Sequence, residues 1–247
     1  MKSSDNMKIL LFFSLLFVEV YQAQLCIIND KDGYTNVRDK ANQNSKIIGK
    51  ITEYQAFPVD SYVQDEENKS KDWIAVKFPI NIDKKSNILK FEGEEKTGYI
   101  HKSRLVELEN LPKFEKNELN SSKVIHQNKD FEVLIETQAF KKSEHKITQT
   151  DNGFFLIDGE KAFTYYGGDT MEIKTITVKS KNQTYIFPKT TFKNLMMTDA
   201  KNSVVYIGNK GELYIVFNAG DGGDSYNIVF CVKDNRLISR TITSTIP

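Results

Sequence analysis

The chain has 247 residues, 39% of them hydrophobic and 27% charged, which places it among ordinary globular proteins and makes it long for one small module. Lys plus Arg number 34 and Asp plus Glu 33, for a formal charge of +1, so no overall field draws it to nucleic acid or to an anionic membrane, and nucleic acid is not expected as a partner. The 16 Phe and 11 Tyr against a single Trp, with strand-forming residues in the periodic segments, point to an all-β fold.

In chain order, residues 1–23 read as a signal peptide. Lys8 precedes the apolar run 9–18, which has the charge and length of a secretory h-region and is too short to span a bilayer. Cleavage after Ala23 leaves Gln24 as the mature start, so the expected location is secreted or periplasmic, with no membrane span in the mature chain. Cys26 and Cys231 each sit in an apolar, strand-like run. In an oxidising compartment they could pair, or each packs as a small buried hydrophobe; both readings stand.

From 24 to 108 short extended runs (26–28, 35–38, 46–51, 56–64, 73–78, 98–100) alternate with turn signals at Asp32-Gly33 and 39–42. The Lys- and Glu-rich insert at 79–97 is expected to project as a solvated loop. Residues 109–123, with Pro112 and a Ser pair but no period, read as a linker between halves that fold independently. Residues 124–247 return to strands, with hairpin turns at 208–211 and 233–236 and a short helix at 189–194 following Pro188. The predicted architecture is a small β barrel, then a second β-rich domain, sandwich-like or barrel-like.

Four landmarks carry a resemblance: Asp32-Gly33-Tyr34-Thr35-Asn36-Val37-Arg38; Ile47-Ile48-Gly49-Lys50-Ile51; Trp73-Ile74-Ala75-Val76; and Thr97-Gly98-Tyr99-Ile100-His101. Residues 24–108 thus resemble the bacterial SH3-like domain, and the opening resembles SH3 domain-containing proteins exported by Bacteroidota. The resemblance implies a small barrel that binds cell-wall peptides or glycan, or that targets an exported protein. Gly98 would allow close passage of the last strand, and Arg38 would reach backbone carbonyls. The turn 39–42 and the insert 79–97 depart from the family pattern.

Catalytic chemistry is not expected. Neither cysteine has the exposed strand-to-helix setting of a nucleophile, and there is no Gly-x-Ser-x-Gly elbow. The histidines His101, His126 and His145 show no metal-ligand spacing, so neither cofactor nor metal is expected. The segment 218–226, with Asp221, Asp224 and Tyr226, is open to three readings: a long hairpin loop needing positive backbone angles, a calcium site, or a protruding recognition loop resembling the Ser-Gly-x-x-Tyr loops of periplasmic lysozyme inhibitors. Residues 165–169 form a second Gly-rich turn.

The functional expectation is an exported, non-catalytic binding protein whose SH3-like module recognises peptidoglycan or an envelope protein. Its candidate contacts are Tyr34, Trp73 and Tyr99 in the module, and Asp221, Asp224 and Tyr226 in the second domain. One alternative is an inhibitor or immunity-type protein acting through 218–226; another is a cell-wall hydrolase with a carboxylate-lined cleft.

Overall fold

The computed structural model describes residues 24–64, 70–80, 82–83 and 88–245; the predicted signal peptide at 1–23 lies outside them. The described chain is built from strands, with only short helical turns between them, in keeping with the all-β expectation.

The N-terminal part holds β1 (Leu25–Ile28), β2 (Tyr34–Arg38), β3 (Ile47–Thr52), β4 (Ala56–Pro58), β5 (Trp73–Pro79), β6 (Ile82–Asp83), β7 (Leu89–Phe91), β8 (Glu95–His101) and β9 (Leu105–Glu107). Two sheets form here, in the orders β4-β1-β9 and β3-β2-β8-β5. Alternate residues turn inward, as strand geometry demands, and Cys26, Val37, Ile51, Phe57, Val76 and Ile100 close a core between the sheets. Gly98 stands where β2 crosses β8: a Cβ there would lie 2.4 Å from Val37 Cγ1 and 2.9 Å from the Arg38 carbonyl. Arg38 Nη1 donates to the Ser45 carbonyl at 2.6 Å, holding the 39–46 turn.

The rest of the chain adds β10 (Glu115–Asn120), β11 (Lys123–Gln127), β12 (Phe131–Ala139), β13 (Ile147–Gln149), β14 (Phe155–Ile157), β15 (Glu160–Lys161), β16 (Met171–Ser180), β17 (Thr184–Ile186), β18 (Ser203–Ile207), β19 (Leu213–Ala219), β20 (Tyr226–Lys233) and β21 (Arg236–Ser244). A five-stranded sheet, β10-β11-β12-β16-β17, faces a six-stranded sheet, β18-β19-β20-β21-β7-β6. Val133, Ile135 and Ile176 of the first and Ile215, Phe217 and Phe230 of the second share one core, so this half is a sandwich. A small sheet, β13-β14-β15, sits apart from both.

Two boundary expectations are corrected. The insert at 79–97 is not a free solvated loop: its β7 pairs in parallel with β21, matching Leu89, Lys90 and Phe91 to Ser239, Arg240 and Thr241. Phe91 is buried, and Glu92 holds the Arg240 guanidinium through Nε at 3.0 Å and Nη2 at 2.7 Å. Nor is 109–123 a linker. Leu111 and Phe114 are buried, Phe114 N donates to Val205 at 2.9 Å, and Glu115–Asn120 form the strand β10.

The physical reason lies in the six-stranded sheet, which is apolar on both faces. Along β19 and β20, Ile215, Phe217, Ile228 and Phe230 enter the sandwich core, whereas Tyr214, Val216, Val229 and Cys231 pack on Ile27, Ala56, Leu108 and Leu111 from the other side. The molecule therefore has three layers in contact, tied further by the Lys210–Glu53 ion pair and the hydrogen bond from Ser239 Oγ to the Tyr54 carbonyl. The halves are not independent bodies. The helix expected at 189–194 is a single 3₁₀ turn, Lys189–Thr191.

Candidate functional site

The N-terminal part carries a groove of about 470 Å³ lined by both Tyr34 and Trp73. Each stands at the first residue of its strand, where side chains border the connecting loops. Trp73 is half-buried and meets His101 edge-on, ring centroids 5.5 Å apart. Tyr34 is exposed, and the Lys50 ammonium lies 4.1 Å from its ring centroid, a cation–π contact that holds one face of the ring. The polar rim is locked by the Arg104–Asp30 ion pair at 2.9 Å. Asn36, also on the groove, has a buried side-chain oxygen with no hydrogen-bond partner among the described residues. Buried acceptors are normally satisfied, and this one has no protein donor among the described residues. Tyr99 is a correction: it shares the outer face of β8 with His101 but does not line the groove.

The second candidate segment does not protrude as a free loop. Residues Gly222–Asp224 form a 3₁₀ turn after Asp221, with Gly220 at φ +79° and a would-be Cβ 2.5 Å from the Asp224 carbonyl. Thr164 Oγ1 donates to that same carbonyl at 2.9 Å, so the two Gly-rich segments lie side by side. Together with Gly93, Glu94 and Glu95 from the insert, Phe154 just before β14 and Lys161 of β15, they enclose a cleft of about 680 Å³. Asp224 is on its wall, whereas Asp221 is not. Tyr226 lies at the cleft's base but is only 5% exposed; its hydroxyl donates to the Met196 carbonyl at 2.6 Å, and its ring stacks on Phe163. It anchors the core rather than presenting a free contact, because the register of β20 turns it inward. Burial holds its hydroxyl protonated well above the ordinary tyrosine range.

Sequence reasoning missed the exposed rings of this cleft, Phe154 and Tyr166, and its acid Glu95. The signal for Tyr166 lies in the Tyr-Tyr-Gly-Gly-Asp run at 165–169, which reads locally as no more than a turn. Glu95 has its carboxyl pushed up, chiefly by burial.

Nucleophiles fare as follows. Cys26 and Cys231 are separate, buried, free thiols; burial pushes Cys26 up to about 12 and raises Cys231 as well, so neither supplies thiolate at neutral pH. His126 Nε2 lies 2.8 Å from Ser203 Oγ, but His126 is 0% and Ser203 1% exposed, and burial, with Lys116 and Lys113 nearby, pushes that imidazole down to about 4. The His101–Ser103 contact at 2.8 Å caps the turn Lys102–Arg104, since Nδ1 also accepts from Ser103 N. His145 is pinned between Asp158, at 2.8 Å, and Glu172, at 3.4 Å, joining the small sheet to β16. Among the described residues no three His, Cys, Asp or Glu side chains gather as a metal site, and no helix is long and apolar enough to cross a membrane.

Comparisons with protein-family models, with curated proteins and with solved structures found no match to the chain.

Proposed function

We propose that the chain is an exported, non-catalytic binding protein whose SH3-like N-terminal part holds an extended segment of cell-wall peptide or of an envelope protein in the groove between Tyr34 and Trp73. The observation that carries this reading is the unpartnered Asn36 oxygen on the same groove as those two rings: apolar faces and a waiting acceptor are what a peptide backbone and its side chains require. The burial of both thiols and of the Ser203–His126 pair favours binding over hydrolysis.

Replacing Tyr34 and Trp73 together by Ala should weaken retention on purified peptidoglycan, or on the envelope protein captured from extract, about tenfold or more, equivalent to roughly 1–2 kcal/mol for lost aromatic anchors. A double variant that keeps the wild-type circular dichroism and melting temperature yet binds normally removes this groove from consideration.

A further inference from the structure

A second groove of about 350 Å³ adjoins the large cleft, and Thr164 and Tyr166 line both. Tyr166, 66% exposed, is thus a ridge between them. The Asp224 carboxylate stands near its hydroxyl and raises its pKa.

The two sides of the ridge differ in chemistry. On one side the lining carries Glu94, Glu95 and Asp224 with one basic residue, Lys161, whose ammonium lies 4.0 Å from the Phe154 ring centroid, while Lys77 acts on Glu95 from outside the lining. On the other, Met171 and Met197 are exposed, at 38% and 36%, with Asp169 and Asp199 beside them and no basic residue in the lining. Thr198 lines this second groove, is 1% exposed, and its hydroxyl has no hydrogen-bond partner among the described residues. Thr164 and Met197 hold φ of +55° and +53°, uncommon for residues with side chains and costly for the β-branched Thr164. The two linings hold five carboxylates and one ammonium, with Lys142 4.0 Å from Asp169, so acids outnumber cations here on a chain of net charge +1.

We infer that the paired grooves across Tyr166 bind an extended segment of a partner protein in which basic and apolar side chains alternate. The basic side chain takes the carboxylate side and stacks on Tyr166, as Lys161 already does on Phe154; the apolar one enters between the methionines, whose flexible side chains adapt to its shape; and the Thr198 hydroxyl meets the segment's backbone. The period of two in an extended chain sends neighbouring side chains to opposite sides, which suits a ridge. This site is separate from the groove at Trp73.

The test uses fluorescence anisotropy with the full mature chain and three labelled hexapeptides: alternating leucine–lysine, alternating leucine–glutamate, and all-lysine. The first should bind at least tenfold more tightly than the other two, and its affinity should fall as salt rises. Tyr166→Ala, and separately the exposed pair Asp169→Asn with Asp224→Asn, should each weaken it tenfold or more, while Tyr34→Ala with Trp73→Ala leaves it unchanged. Equal binding of the glutamate peptide, equal binding of all-lysine, or full affinity in both Tyr166→Ala and the Asp pair overturns the inference. Loss of leucine–lysine binding in the Tyr34/Trp73 variant overturns it too, by moving the contact to the other groove.

Discussion

Among the described residues Arg240 is the largest fully buried side chain, 0% exposed, and its removal tests whether the three layers unfold together. Its guanidinium meets the Glu92 carboxylate, the Thr191 carbonyl at 2.6 Å and Asn194 Oδ1 at 3.0 Å. Glu92→Gln removes the countercharge and leaves a buried cation. Such a loss costs about 3–5 kcal/mol; because the Glu92 side chain is 22% exposed and Glu160 stands 3.9 Å from the guanidinium, the lower end, about 3 kcal/mol, is expected. Arg240→Met leaves the Thr191 and Asn194 oxygens unbonded at about 1–3 kcal/mol each. The double variant, Glu92→Gln with Arg240→Met, should cost at least about 2 kcal/mol less than the sum of the single changes, because no buried charge is stranded. With a urea slope of about 2–3 kcal/mol/M, Glu92→Gln lowers the midpoint by about 1 M. Trp73, the only tryptophan, reports on the N-terminal part, and far-ultraviolet circular dichroism reports on all layers. Both signals should shift together. If the Trp73 transition keeps the wild-type midpoint while the dichroism shifts, or if Glu92→Gln moves the midpoint by less than about 0.3 M, the reasoning fails.

Acid should destabilise the protein partly through His126. Its folded pKa, about 4, lies below the unfolded value of about 6.5, so the unfolded chain binds the extra proton and stability is lost as pH falls from about 6.5 to 4, by up to about 3 kcal/mol; urea titrations across that range should show a shallower loss for His126→Gln, and an unchanged slope would remove His126 as a source. Gly98→Ala should lower stability by about 1–3 kcal/mol through overpacking against Val37 and the Arg38 carbonyl, read as a drop in melting temperature, and a neutral result would show that β2 can give way.

The sequence makes legible whatever local periodicity encodes. The alternation in β12, with Val133, Ile135 and Thr137 inward, identifies a strand one face of which is buried. Tyr34 and Trp73 are legible because strand ends border loops. The insert escapes a local reading because β7 is three residues long and its partner, β21, lies some 150 residues away in parallel register; nothing local announces such a pairing. The unbroken apolar runs 213–217 and 228–232 do contain the needed signal, since a strand buried on both faces loses its alternation. Those runs require apolar cover on two sides, which excludes a separate two-layer second domain. Tyr226 illustrates the opposite limit. A tyrosine beside a Gly-rich loop resembles a recognition residue in one dimension, and only the register of β20 against β19 and β21 sends it inward.

The same parallel pairing that joins the layers also builds the larger cleft. Gly93, Glu94 and Glu95 come directly after the Glu92 clamp, so the acids they bring to the cleft are placed by Arg240 and by β7, while the facing wall, from Thr164 to Tyr166 and around Asp224, is placed by the sandwich. Lys90 continues the attachment, bonding Glu160 of the small sheet at 3.0 Å, one residue before the Lys161 that stacks on Phe154. The acid-bearing segment and the strand that carries Lys161 are therefore each held by an ion pair with a buried or mostly buried cation, and such pairs fix register more surely than they stabilise. A cleft assembled in this way from segments distant in sequence exists only in the fully layered molecule, whereas the Tyr34–Trp73 groove is made entirely by the N-terminal sheets. The two grooves differ accordingly in what they demand of the fold: one needs the local strand ends of the N-terminal part, the other the docking of the insert into the neighbouring sheet.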